Sequence, residues 1–230
     1  MIVGVLPVKS PADSMSRLSA LLTSAEREEL ARCLTLQALE TLTAVSLLDL
    51  LIVVAKDPIV IDAARRAGAR VLEESVQLSH SQSAESGIAM ALDLGAATVL
   101  SAPIDVPLAA ADDYTRLLEI SLQLPAPALV IVPSADGSGT NALVRTPPNV
   151  IVSQFGPGSF QKHESSARAA GAHVEIQRPL GIALDLDTPE DLLEIETQAG
   201  TGNGVLDYLF RINAFERARV ATATQRAACR

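Results

Sequence analysis

No tryptophan occurs among the 230 residues, and aromatic side chains make up only 3% of them. The 48% that are hydrophobic must therefore pack as an aliphatic core of Leu, Val, Ile and Ala, and a chain of this length can bury one. Positive charge is also scarce. Lys and Arg number 18 against 27 Asp and Glu, a net charge of −9. With no basic surface to release counterions from phosphates, nucleic acid is not an expected partner. A small anionic ligand stays admissible, because a metal ion reverses the sign of a local site. The two cysteines, Cys33 and Cys229, cannot build a disulfide framework and lack metal-ligand spacing. Cys33 falls in a helical pattern and reads as core, Cys229 as part of a frayed end. The longest apolar run, Leu50 to Ala55, is far too short to cross a bilayer. The start of the chain lacks the charged opening and long apolar stretch of a signal peptide. These absences describe a soluble, cytoplasmic protein with no membrane partner. Glycine is missing between Pro7 and Arg17, so neither a Walker A nor a G-x-G-x-x-G loop follows the first apolar run.

What is present is an alternation of apolar runs and helical patterns, the mark of an α/β sheet with helices on both faces. Strands are expected at Ile2 to Val8, Leu50 to Ala55, Arg70 to Glu73, Ala97 to Ala102, Ala128 to Val132, His173 to Ile176 and Gly181 to Leu186. Asn141 to Arg145 reads as an extra strand with antiparallel character. The capping box Thr23-x-x-Glu26 opens a helix to about Leu42. Further helices are expected from Asp57-Pro58 to Ala67, Ala84 to Leu94, Asp112 to Leu122 and Ser159 to Ala170. Pro189 begins another, with acids in its first turn that suit the helix dipole. The Ser-rich stretch 75–83 reads as a loop. Residues 1–197 then form one domain and 198–230 a linker, Gly200 to Gly204, with a terminal helix over Leu206 to Val220.

The sharpest chemical feature is Asp185-Leu186-Asp187 at the end of an apolar segment. Residues two apart on a strand share a face, and paired carboxylates there suggest Mg²⁺ or Mn²⁺. The plainer alternative makes Asp187 a helix cap and Asp185 a solvated acid. Asp105 follows another strand and, at the carboxyl edge of the sheet, would complete a three-carboxylate site; otherwise it is a turn aspartate. Leu6-Pro7-Val8-Lys9, followed by Arg17, could hold a triphosphate by charge and by backbone N–H groups, or Lys9 and Arg17 are simply solvated. Two loops look suited to an anion: Asp136 to Asn141, ending in the donors Thr140 and Asn141, and Phe155 to Phe160, which sets Gly156 and Ser159 at a helix N-terminus. Ordinary turn chemistry is the alternative for each. His163 lies one turn after Ser159 on the same helix face, facing that ligand or the surface.

These pieces occur in an order that resembles a known family. Leu6-Pro7-Val8-Lys9, Ser16-Arg17-Leu18, Asp105-x-Pro107-Leu108, Gly139-Thr140-Asn141-Ala142-Leu143, Phe155-Gly156-Pro157-Gly158-Ser159-Phe160-x-x-His163 and Asp185-x-Asp187-Thr188-Pro189-Glu190-Asp191 look like the guanylyltransferases that make the precursor of the deazaflavin coenzyme F-four-twenty. The resemblance implies a single Rossmann-like nucleotidyltransferase domain with a mainly parallel twisted sheet of about seven strands. It also implies an enzyme that joins GTP to 2-phospho-L-lactate, phosphoenolpyruvate or 3-phospho-D-glycerate, releases pyrophosphate and hands its product to a downstream transferase. By match to the family's motifs, Asp105, Asp185 and Asp187 would bind Mg²⁺, while Thr140, Gly156 and Ser159, with His163 nearby, would hold the acid. Leu6, Pro7, Val8, Lys9 and Arg17 would meet the nucleotide, with Asp105, Lys9 and Arg17 in catalytic roles. Two positions depart from the pattern: Met15 stands where many members carry lysine, and the 79–83 loop lacks the usual Leu-Asn pair.

The competing readings are a nucleotidyltransferase acting on molybdopterin or a sugar acid, which usually carries a glycine-rich first loop, and a non-catalytic nucleotide-binding module. Association as a homodimer through the terminal helix is left open.

Overall fold

The computed structural model describes residues 1–76, 78–198 and 203–228. Its sheet is built from the aliphatic runs. The strand β1 (Ile2–Val8) is buried along all but its first residue, as a central strand covered on both faces must be. The helix α1 (Ser24–Thr43) starts where the sequence signals it. Thr23 Oγ1 accepts from the Glu26 N–H at 3.3 Å, and the Glu26 carboxylate accepts from the Thr23 N–H at 2.8 Å. Then come β2 (Leu50–Ala55), α2 (Pro58–Arg66), capped by Asp57, and β3 (Arg70–Glu73).

The next helix, α3 (His80–Asp93), begins inside the stretch read as a loop. Its serines and Gln82 are the reason: Ser79 and Gln82 form a second capping box, so the polar composition marks a helix start rather than a connection. The order continues with β4 (Thr98–Ser101), α4 (Ala111–Gln123), β5 (Ala128–Pro133), β6 (Thr140–Thr146), α5 (Ser159–Ala169) and β7 (His173–Ile176).

The strand expected over Gly181 to Leu186 is not one. Residues Leu180–Ala183 form a single helical turn, α6, followed by an irregular segment. Two contacts explain the difference. The Asn141 side chain donates to the carbonyls of Ile182 and Ala183, at 2.8 and 3.0 Å, occupying groups a ladder would need. Gly181 also lies against the Leu108 carbonyl, where an added Cβ would stand 2.6 Å away. The helices α7 (Pro189–Gln198), α8 (Gly204–Arg211) and α9 (Ala214–Ala228) finish the chain.

The seven strands lie in the order β3-β2-β1-β4-β6-β5-β7. All neighbours are parallel except β6, which runs antiparallel to β4 and β5. The α/β class and the mainly parallel sheet are therefore as expected. One face packs Leu6, Val53, Leu100, Val130 and Val144 against Leu39, Leu42, Val60 and Leu118 of the helices. The other packs Val3, Val5, Ile52 and Val99 against Ile88 and Ala91 of α3, and Leu129, Ile131 and Leu143 against Ala167 of α5.

The boundary expected at 197/198 needs correction. Val205, Leu206, Leu209, Phe215 and Ala218 are buried in one cluster with Leu18, Leu30, Leu34, Leu186 and Leu192. The Tyr208 hydroxyl donates to the Glu26 carbonyl at 2.9 Å, and the Arg217 guanidinium meets the Glu26 carboxylate twice at 3.0 Å. So α8 and α9 complete the domain. They are two helices rather than one because the chain turns at Asn213, in the left-handed region with φ 55°. Of the expected linker, residues 200–202 lie outside the described residues, as does Cys229; Asn203 caps α8 and Gly204 is its first residue. Cys33 is half-buried and free. Among the described residues no helix is long and apolar enough to cross a membrane.

Candidate active site

Topology brings the singled-out residues to one edge. The parallel strands β1 and β4 end there with Lys9 and Asp105 beyond them, and the antiparallel β6 begins there with Thr140. Sheets of this kind place ligands at that edge. The segment carrying Asp185 and Asp187 crosses the same edge, because the Leu186 N–H donates to the Asp105 carbonyl at 2.8 Å.

Asp105 is strongly perturbed. Burial pushes its carboxyl up to about 7, and repulsion from Asp185 and then Asp187 adds to this, with Lys9 opposing. Burial also raises Asp185, while the hydrogen bond from Asn141 lowers it. Asp187 is not the cap of α7. That role falls to Thr188, whose Oγ1 accepts from the Asp191 N–H at 3.3 Å. The Asp187 carboxylate instead meets the Arg17 guanidinium at 2.8 Å. Among the described residues no group of three or more His, Cys, Asp or Glu is gathered closely enough to hold a metal ion. The fit of Mg²⁺ is thus one of donor chemistry, hard carboxylate oxygens that repel one another, without a preformed cage.

A β-bulge decides where the start of β6 aims its side chains. Thr140 pairs with Pro133 and Ala142 with Val132, leaving Asn141 as the extra residue. Such an insertion re-aims side chains. Asn141 turns toward α6, where its amide nitrogen reaches Asp185 Oδ1 at 3.1 Å as well as the two carbonyls. Thr140 turns toward α5. There its Oγ1 accepts from the Ser159 hydroxyl at 3.2 Å and lies 3.0 Å from His163 Nδ1. Ser159 opens α5 after Gly156 and Gly158, both at positive φ.

His163 faces neither the surface nor open space. It is fully buried, and its other nitrogen, Nε2, accepts the Gln154 N–H at 2.8 Å. Burial, then the nearby Arg145, lowers its pKa to about 4, so the ring is neutral. The expectation of direct substrate contact is corrected, since both ring nitrogens are engaged within the protein.

The Asp136 loop is likewise turned on itself. Its carboxylate accepts from the Ser134 hydroxyl, the Ser138 hydroxyl and the Ser138 N–H, which holds it down at about 2. Of that loop only the Thr140 end is left for a ligand. Leu6, Pro7 and Val8 are buried within β1 and paired with Val53, Val54 and Ala55. They offer no side chain to a nucleotide and can reach one only through backbone at the strand end. Lys9 is exposed, and the Arg17 side chain is 65% exposed.

Several residues of this edge escaped the sequence reading. Arg145, on β6, is fully buried; it pairs with Glu85 of α3 at 3.2 Å and donates to Ser153 Oγ at 2.7 Å. A lone arginine in an apolar strand is the signal for such a pair. His80 stands edge-on to Phe155 with centroids 4.8 Å apart, and burial, then Lys9, lowers it to about 4.

A sheet in this strand order with acids at its carboxyl edge is the nucleotidyltransferase fold. A solved nucleotidyl transferase from Methanothermobacter thermautotrophicus matches it with a TM-score of 0.61 at 18% identity, over 86% of this chain and 97% of that one. Residues 2–227 match the family described as guanylyl transferase, CofC like, and the chain belongs to that family. The match runs through α8 and α9. Among its relatives, the phosphoenolpyruvate guanylyltransferase of Rubrobacter xylanophilus is 36% identical over 86% of this chain and 95% of its own. The 3-phospho-D-glycerate guanylyltransferase of Colwellia psychrerythraea is 32% identical over 82% and 88%.

Proposed function

We propose that this protein transfers the guanylyl group of GTP to the phosphate of a three-carbon phospho-acid, in deazaflavin coenzyme biosynthesis, and that Mg²⁺ assists it. A phosphate oxygen of the acid attacks the α-phosphorus of GTP. The bond from that phosphorus to the α,β-bridging oxygen breaks, and pyrophosphate leaves with the electron pair. The acceptor is a dianion at neutral pH, so no protein nucleophile or general base is needed.

The observation that supports this reading is the meeting of two acid-bearing segments at one edge, where the Leu186 N–H, between Asp185 and Asp187, donates to the Asp105 carbonyl at 2.8 Å. Those three acids would hold the divalent ion, whose chemistry is to neutralise the charge between two phosphates that otherwise repel. Lys9 and Arg17 would take charge from the leaving pyrophosphate. Thr140, set by Ser159, and the Gly156 backbone would hold and orient the acid. Phosphoenolpyruvate is the acid to try first, since it names the relative at 36% identity. The protein is proposed to act in the cytoplasm and to pass its product to a second transferase.

The test is direct. The protein is incubated with Mg²⁺, each nucleoside triphosphate and each of phosphoenolpyruvate, 3-phospho-D-glycerate and 2-phospho-L-lactate, and pyrophosphate is measured. Release with GTP and one acid is expected. Nucleotide binding without pyrophosphate from any combination would leave the binding-module reading in its place.

A further inference from the structure

We propose that His163 is a positioning residue whose tautomer forces the Thr140 hydroxyl to donate its proton outward, to an oxygen of the bound phospho-acid. The inference rests on the reading of Thr140 and Ser159 as the acid site.

The argument is a count of protons and lone pairs. A backbone N–H can only donate, so the Gln154 N–H at 2.8 Å fixes His163 Nε2 as an acceptor. The ring is neutral, so its one proton sits on Nδ1. That proton points at Thr140 Oγ1, 3.0 Å away. The Ser159 hydroxyl donates to the same oxygen at 3.2 Å. A hydroxyl oxygen has two lone pairs and one proton. With both lone pairs taken, the Thr140 hydroxyl can only donate. Among the described residues no protein acceptor takes that proton, and Thr140 keeps 9% of its surface open, whereas Ser159 keeps 1% and His163 none. The donor is therefore left for a ligand. It will bind an ionised carboxylate or phosphate oxygen and reject a group that must itself donate.

A buried chain of this kind is set before substrate arrives. The Gln154 N–H sets the ring, the ring sets the threonine, and the threonine selects the charge state of the ligand.

Two measurements test it on the full-length protein. In the ¹⁵N-histidine-labelled protein, His163 should show a protonated Nδ1 and a bare Nε2 without ligand; a protonated Nε2, or an imidazolium near neutral pH, overturns the inference. In steady state, His163→Phe should raise the KM for the acid about tenfold, the loss of one oriented hydrogen bond, with the KM for GTP unchanged. His163→Asn, whose amide N–H can replace the Nδ1 donor, should restore it. The double variant Thr140→Val/His163→Phe should be no worse than Thr140→Val alone, because the histidine acts only through the threonine. Equal losses in both substrates, or no rescue by asparagine, overturn the inference. If Thr140→Val binds the acid as well as the parent, the acid-site reading fails and takes this inference with it; a wrong tautomer beside an acid-sensitive Thr140 removes the inference alone.

Discussion

The amide nitrogen of Asn141 lies 3.1 Å from Asp185 Oδ1, joining the first turn of a central strand to a segment that no strand pairs. The same nitrogen holds the Ile182 and Ala183 carbonyls, so one side chain positions the whole acid-bearing crossing.

Replacing Asn141 with Leu should therefore do two things. Three acceptors lose their donor, which costs about 1–3 kcal/mol in a buried setting. Pyrophosphate release should fall more steeply than stability, by about a hundredfold if Asp185 shifts by an ångström. Urea unfolding read beside turnover separates the two, and a variant that loses stability but keeps its rate refutes the positioning role.

Asp105→Asn should move stability and activity in opposite directions. An ionised carboxyl at this position is disfavoured by burial and by two neighbouring acids, and the neutral amide removes that repulsion. The melting temperature at pH 8 should rise while pyrophosphate release is abolished. A fall in both would mean that the carboxylate is held by favourable contacts instead.

His80 and His163 should cost stability below pH 6.5, against an opposing gain over the same range from Asp105, which is raised to about 7. His80 and His163 are both lowered to about 4 from an ordinary 6.5, chiefly by burial. Between those values the unfolded chain binds protons at these two rings that the folded one refuses, so their contribution to stability is lost as pH falls from 6.5 toward 4, and these groups contribute no slope above 6.5. Denaturant titrations across this range should show a shallower loss in His80→Asn than in the parent.

Leu209→Ala should behave as a core mutation, not a tail mutation. Leu209 is fully buried against the cluster that includes Leu30 and Leu34, and truncation there costs about 2–5 kcal/mol. A chain ending at residue 198 should be insoluble or partly unfolded. A soluble truncated form with the parent's melting temperature would restore the tail as an appendage.

The central strands β1 and β2 were legible because aliphatic runs buried on both faces leave little choice, and the more exposed edge strands β3 and β7 also have the bounds the sequence suggested. Apart from the start of α3, where the Ser79–Gln82 capping box is local, the misreadings share a cause. Gly181 to Leu186 has the composition of a strand, but its carbonyls are claimed by Asn141, 41 residues away along the chain. The apolar face of α8 and α9 is plain in the sequence, whereas its partners on α1 are not. In the site, the aspartates stood out by spacing and charge. The Asn141 clip and the Arg145–Glu85 pair did not, because each depends on a contact between remote segments and, for Asn141, on a bulge that reverses local alternation.

The Glu26 carboxylate caps α1 and also receives Arg217 of α9. During synthesis the first of these bonds can form early, while the second must wait until the last helix has left the ribosome. Until then the part of the Leu30 and Leu34 cluster that α8 and α9 supply is missing, and the growing chain leaves that side of it uncovered.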